Sequence, residues 1–234
     1  MRPRLLDLFC GAGGAAMGYH RAGFEVTGVD IVPQPRYPCG FVQADALDYC
    51  RAHGHEYPVI HASPPCQAYS RMRHLPWLRH RTYPCLLEPV QHILRQMDVL
   101  WVIENVESAP LDGIVFCGQM FGLPLYRHRR FASNILLFAP DQCRHTTVIC
   151  SSRRAMAQRY RQRGGRDVTG VLPGVRAEDA MGIDWMTRKE LSQAIPPVYT
   201  AWVGQQLLRV LGVIGYRVPP AALPPPQQLR LPGN

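Results

Sequence analysis

The chain has 234 residues, 47% of them hydrophobic and 18% charged, which excludes a disordered chain and suits one or two domains with a sizeable core. No apolar run approaches the ~18 residues of a membrane span, and the opening Met-Arg-Pro-Arg-Leu-Leu lacks a signal-peptide pattern, so a cytoplasmic protein without a membrane partner is expected. The net charge is +9 and Lys189 is the only lysine, so the positive charge is almost all guanidinium.

Arg4 to Phe9 reads as a short buried strand, followed by glycines at 11, 13 and 14 and an Ala-rich helix that Gly23 stops. Glu25 to Asp30 reads as the next strand. This βαβ opening, with its glycine turn after the first strand, predicts an α/β fold with a Rossmann-like doubly wound sheet. Pro58 to His61 reads as a further strand, running into the Pro64-Pro65-Cys66 loop. Leu86, Val90, Ile93, Leu94 and Met97 recur at helical spacing, with Pro89 tolerable in the first turn. Val99 to Glu104 is a continuous apolar run, as a parallel strand buried on both faces requires.

Regular alternation ends near residue 138, and the following Arg-, Gly- and Ser/Thr-rich stretch suggests a small insert. The expected division is a catalytic core over 1–132, a short basic segment over 133–176, a closing part of the core over 177–215, and a Pro-rich tail over 216–234. Within the closing part, Val203, Leu207, Leu208 and Leu211 share one helix face.

Four groups of residues carry chemistry. Glycines at 11 and 13 let a ligand approach the backbone, and Asp30, ending the second strand, is placed to accept ribose hydroxyls. The spacing departs from that of a pyrophosphate cradle, which favours a nucleoside without a phosphate chain. Asp45 reads equally as an adenine contact or a helix N-cap. Cys66 follows two prolines on a stiff turn, but a thiol of pKa near 8.5 is only about 3% ionised at pH 7 and needs positive neighbours to act as a nucleophile. Arg71 and Arg73 are nearby in sequence. Glu104 ends the most apolar strand, where partial desolvation lets a carboxyl carry a proton at neutral pH. Arg127 and Arg129, two apart, would project together from a strand.

Residues 121–166 hold ten arginines and one acid, Asp141. A concentrated positive field attracts polyanions, although such a stretch in isolation also fits a solvated basic face. The eight cysteines contain no CxxC pair. Cys143 with His145, or His53 and His55 near Cys50, do not make a four-ligand pattern, so packing or surface roles and no metal are expected.

Together the blocks Asp7-Leu-Phe-Cys-Gly-Ala-Gly-Gly14, Ser63-Pro-Pro-Cys-Gln67, Glu104-Asn-Val106, Gly122-Leu-Pro124 with Arg127-x-Arg129-Arg130-Phe131, and the segment from Ile195 to Leu208 resemble, in words and in order, the C5-cytosine-specific DNA methyltransferase family. The resemblance covers about residues 4–131 and 177–213. It implies S-adenosyl-L-methionine as cofactor, with Phe9, Gly11, Gly13, Asp30, Ile31, Asp45 and Pro65 lining its pocket. It also implies Cys66 as nucleophile, Glu104 as acid, and Arg127 and Arg129 holding the base. Double-stranded DNA is the implied partner, with no obligate protein partner, and the target base must be flipped out of the stack. Gln67, Ser70, Arg71 and Arg73 fall on a candidate lid over that base, and Arg153, Arg154, Arg161 and Arg163 are placed to contact DNA. The chain departs from the family pattern at Leu125, where a glutamine is usual, and in the short stretch available for target recognition, so a short recognition sequence is expected. The same chemistry on RNA or a free cytidine nucleotide, and a non-catalytic DNA-binding relative, are the competing readings. A nicotinamide oxidoreductase fits less well, since the glycine spacing is wrong for it.

Overall fold

The computed structural model describes residues 2–70, 80–145, 171–172 and 175–213. The candidate lid residues Arg71 and Arg73, the basic residues Arg153, Arg154, Arg161 and Arg163, and the Pro-rich tail lie outside the described residues.

The elements run β1 (Arg4–Leu8), α1 (Gly14–Ala22), β2 (Glu25–Asp30), β3 (Gly40–Gln43), α2 (Ala46–His53), β4 (Val59–Ala62), α3 (Leu87–Arg95), β5 (Leu100–Val106), β6 (Ile114–Phe116), β7 (Arg129–Ser133), α4 (Ala177–Met181), α5 (Arg188–Gln193) and α6 (Pro197–Val213). The strands form one sheet in the order β3-β2-β1-β4-β5-β7-β6, with β7 antiparallel to both neighbours and the first five strands parallel. The α/β, Rossmann-like architecture expected from the sequence is therefore present. The chain reverses its direction of travel across the sheet between β1 and β4, so the loops after these strands open a crevice at their carboxyl ends.

Period-two alternation on buried strands divides the core into two layers. Leu5, Val59 and Val102 face one side, where they pack with Ala16 and Tyr19 of α1 and Tyr199, Val203 and Leu207 of α6. Leu6, Ile60 and Ile103 face the other, against Ala46, Cys50, Leu87, Val90 and Leu94 of α2 and α3. Helix α1 lies very close to α6: a Cβ at Gly18 would collide with Pro197 O and the Thr200 hydroxyl. The Thr200 hydroxyl donates to Ala15 O across the same contact (2.9 Å). Thus the last helix completes the sheet layer that the first helix starts.

Gly23 terminates α1 in the left-handed region at φ 117°, as its position predicts. Asp45 is the N-cap of α2, its Oδ1 accepting from Leu47 N and Asp48 N. Thr187 and Glu190 form a capping box at the start of α5. Leu125, the departure from the family pattern, is fully buried in a third cluster with Val171, Ala180, Met181 and Leu191, and bridges to Val171. An apolar side chain is what that packing requires.

Asp7, on the α1 side of β1, is fully buried. Tyr37 donates its hydroxyl to Asp7 Oδ2 at 3.0 Å, while Oδ1 has no hydrogen-bond partner among the described residues. Burial, with smaller contributions from Asp30 and Glu104, pushes this carboxyl up to about 7. Since the unfolded group ionises near 3.8, folding takes up a proton between pH 3.8 and 7 and stability falls as pH rises through that window. Asp7→Asn removes the buried charge and keeps an acceptor for Tyr37. Its melting temperature should exceed that of the wild type by about 5 °C or more at pH 8.5 and match it within about 2 °C at pH 4, as calorimetry would read.

Candidate active site

The crevice is built by the loops after β1, β2, β4 and β5. After β1, Phe9 adopts φ 57° and Gly11 φ 49°, a left-handed pair that turns the chain sharply. Among the described residues nothing lies within 4 Å of where a Gly11 Cβ would project, so the turn is open on that side. Gly13, at φ 86°, packs against Pro38 and Tyr37 instead. Asp30 ties the two loops together, its Oδ2 accepting from Gly11 N and its Oδ1 from Val32 N, each at 3.0 Å. Each oxygen keeps a further lone pair for a ligand hydroxyl. Beside it, Ile31 is 66% exposed, an apolar surface next to the open glycine turn. Asp45 serves as the helix cap, with both bonds on Oδ1, so the cap alternative holds and Oδ2 is not engaged by them.

The Cys66 loop is clamped from two sides. Ser63 N donates to Leu8 O of β1, and Asn105 of β5 donates its amide to Pro64 O at 2.9 Å. Ser108 Oγ reaches Tyr69 O at 2.7 Å, and Tyr69 N and Ser70 N both donate back to Cys66 O. Cys66 and Pro65 are half-buried and Gln67 is exposed. The sulfur is thus neither sealed in the core nor loose in solvent.

Glu104, on the same face of β5 as Val102, is buried. Its Oε1 stands 3.0 Å from Arg129 Nε, an ion pair whose alignment is too poor for a directed hydrogen bond, so the oxygen keeps unused acceptor capacity. The other charge neighbour is Arg127. Burial outweighs both arginines and pushes the Glu104 carboxyl above its ordinary value. Ser63 donates its hydroxyl to Glu104, and the chain of bonds continues inward through His61 Nε2 (2.8 Å from Ser63 Oγ) to Tyr19 OH (3.0 Å from His61 Nδ1). Burial pulls His61 down to about 3, so it is neutral.

Arg127 and Arg129 are both charge neighbours of Glu104 and Cys66, but not as alternate residues of one strand, since β7 begins at Arg129 and Arg127 precedes it. Arg127 is buried; its guanidinium donates to Ser192 O, and its own carbonyl accepts from Tyr199 OH (2.6 Å). Burial and Arg129 press this guanidinium down to about 9, where it stays charged at neutral pH. The arginines lower the Cys66 thiol, but burial raises it more and Glu104 adds to the rise, so the net direction is up from 9.0. The resting thiol is protonated, and the positive neighbours described around it are Arg129 and Arg127.

Sequence reasoning did not single out His61, Ser63 for its hydroxyl, Asn105 for its loop contact, or Tyr199 and Ser192 as anchors of Arg127. A histidine inside an otherwise apolar strand was the one available signal. Nor did it gather Cys117 and His128 with Cys143 and His145, whose four ligand atoms lie within 4.8 Å of one another.

The sequence matches no protein-family model and no curated protein. Solved structures do match. A putative DNA modification methyltransferase encoded within an E. coli prophage shares 16% identity at a TM-score of 0.56, with 90% of this chain and 99% of that one covered. The Entamoeba histolytica methyltransferase EhMeth shares 13% identity (TM-score 0.55) and S. pombe Dnmt2 methyltransferase 15% (TM-score 0.53), each with the same coverage. The chain therefore has the fold of these methyltransferases along most of its length.

Proposed function

We propose that the protein transfers a methyl group from S-adenosyl-L-methionine to C5 of cytosine in double-stranded DNA, through a covalent bond between Cys66 and C6 of a flipped-out base. The observation that carries this reading is the meeting of Cys66, Glu104, Arg127 and Arg129 at the carboxyl ends of β4 and β5, beside an open glycine turn. A binding module needs no buried acid and half-buried thiol flanked by two arginines.

The crevice fits the donor. Asp30 offers carboxylate lone pairs for ribose hydroxyls, Ile31 an exposed apolar face for a purine ring, and Phe9 and Gly11 a turn with free space before it. S-adenosyl-L-methionine held there supplies the electrophilic methyl group that C5 takes. Asp30→Ala should weaken its binding by about 10-fold or more by calorimetry, with the fold retained.

On the base, C5 is a poor nucleophile until C6 is attacked. Once the Cys66 thiol has given up its proton to solvent, addition of the thiolate at C6, with Glu104 giving its own proton to N3, places the ring electrons on C5. Arg127 and Arg129 offset the negative charge as it moves from sulfur to the ring. After methylation a base removes the C5 proton and the Cys66–C6 bond breaks, releasing the thiolate. Glu104 then takes back the N3 proton. The duplex must open for this, since C6 is covered by neighbouring bases in the stack.

The test is transfer of a tritiated methyl group from the donor to duplex DNA, RNA and dCMP. Label appearing in DNA, and mapped to cytosine by bisulfite sequencing, is the expected result. Label confined to RNA or dCMP would keep the chemistry and replace the substrate; none in any of the three would end the proposal.

A further inference from the structure

Cys117 follows β6, His128 precedes β7, and Cys143 and His145 lie on the described stretch after β7. In sequence they are too scattered for a recognisable motif. The fold brings His145 Nε2 to 3.3 Å from Cys117 Sγ and 3.1 Å from Cys143 Sγ, and His128 Nε2 to 3.4 Å from Cys143 Sγ. With Zn–S of about 2.3 Å and Zn–N of about 2.0–2.1 Å, a tetrahedral site has S···N edges of about 3.5 Å. The three contacts are close to that edge length.

We infer that Cys117, His128, Cys143 and His145 form a structural zinc site. Four protein donors leave no open position, which distinguishes a structural from a catalytic centre. Two thiolates and two imidazoles suit zinc better than the hard cations.

The surroundings prepare these atoms as ligands. Glu107 Oε2 lies 3.9 Å from His128 Nδ1, which favours a proton on that nitrogen, while Nε2 is the atom turned to Cys143 Sγ. The His145 ring stacks on Tyr126 with centroids 3.9 Å apart and planes at 5°, so its orientation is fixed.

His128 lies between Arg127 and Arg129, and its side chain reaches the cluster while theirs reach Glu104. A metal on His128 would pin the arginine segment from behind and fasten the stretch after β7 to the sheet. The site does not depend on the methyl-transfer reading, and it can be tested without DNA or donor.

The full chain, free of any polyhistidine tag and kept reduced, should leave gel filtration with one zinc per chain by elemental mass spectrometry. Replacement by cobalt should give the visible bands of a tetrahedral ion together with sulfur-to-cobalt charge transfer. Cys143→Ser and His145→Asn alter exposed side chains, so both variants should keep the wild-type circular dichroism, lose the charge-transfer pattern of two thiolates or the second imidazole respectively, and hold under about one tenth of an equivalent of zinc after chelator dialysis. Reduced wild-type protein that takes up no zinc or cobalt would overturn the proposal. So would zinc retained equally by both variants, or a Cys117–Cys143 disulfide in place of metal.

Discussion

Cys66→Ser is expected to lower methyl transfer by at least about 10³-fold while leaving donor affinity within about twofold. The two atoms differ little in size, and the loop is held by backbone and neighbouring groups, namely Asn105 to Pro64 O and the Tyr69 and Ser70 amides to Cys66 O, none of which needs the sulfur. What is lost is ionisation. A serine hydroxyl needs an adjacent general base, and the described neighbours of Cys66 are two arginines and a carboxyl. The same variant should form no covalent complex with duplex DNA containing 5-fluorocytosine, whereas the wild type should be trapped on it. Turnover near the wild-type rate in Cys66→Ser would overturn the covalent mechanism.

The sheet was legible because its strands obey simple rules. Arg4–Leu8, Glu25–Asp30 and Leu100–Val106 are short apolar runs bounded by glycine or polar residues, and α1 ends where Gly23 says it should. The strand β6, of three residues, was not legible: Ile114–Phe116 has no room for alternation and is a strand only because β7 pairs with it. The helix over Leu87–Arg95 shows its apolar stripe plainly, whereas α4 and α5 are too short for periodicity and are defined by caps.

At the site, residue types were legible and partnerships were not. Cys66, Glu104 and the arginine pair stand out by their motifs, yet the groups that set their behaviour come from distant segments. Tyr199 and Ser192 anchor Arg127 across 72 and 65 residues. His61, on an apolar strand, is neutral because burial excludes its charge, a property no local pattern displays. The metal-ligand cluster is the sharpest case. Cys143 and His145 alone do not form a set, and it is the return of the chain through β6 and β7 that supplies Cys117 and His128.

Glu104→Gln should reduce turnover by about 10²- to 10⁴-fold, yet make the free thiol more reactive. The first effect follows from the proton. Glutamine keeps the shape and an acceptor for Ser63 but has no acidic proton for N3 when sulfur adds to C6. The second follows from charge. In its ionised form Glu104 holds the Cys66 thiol up, against the pull of Arg129 and Arg127, so at a pH where the carboxyl of the free enzyme is ionised, deleting its charge lowers the thiol's pKa. Well below that pKa the thiolate fraction rises tenfold per unit, and a modest drop gives about a 2- to 5-fold faster alkylation at pH 8. Peptide mass spectrometry can follow Cys66 separately, with exposed Cys85 as internal reference. In the wild type the Cys66 rate should still be climbing at pH 9, because burial places its ionisation above 9.0. A variant that merely misfolded would expose every cysteine alike. Slower turnover with selectively faster alkylation of Cys66 is the signature of a proton donor facing a thiol, and unchanged alkylation would show that Glu104 does not act on the sulfur.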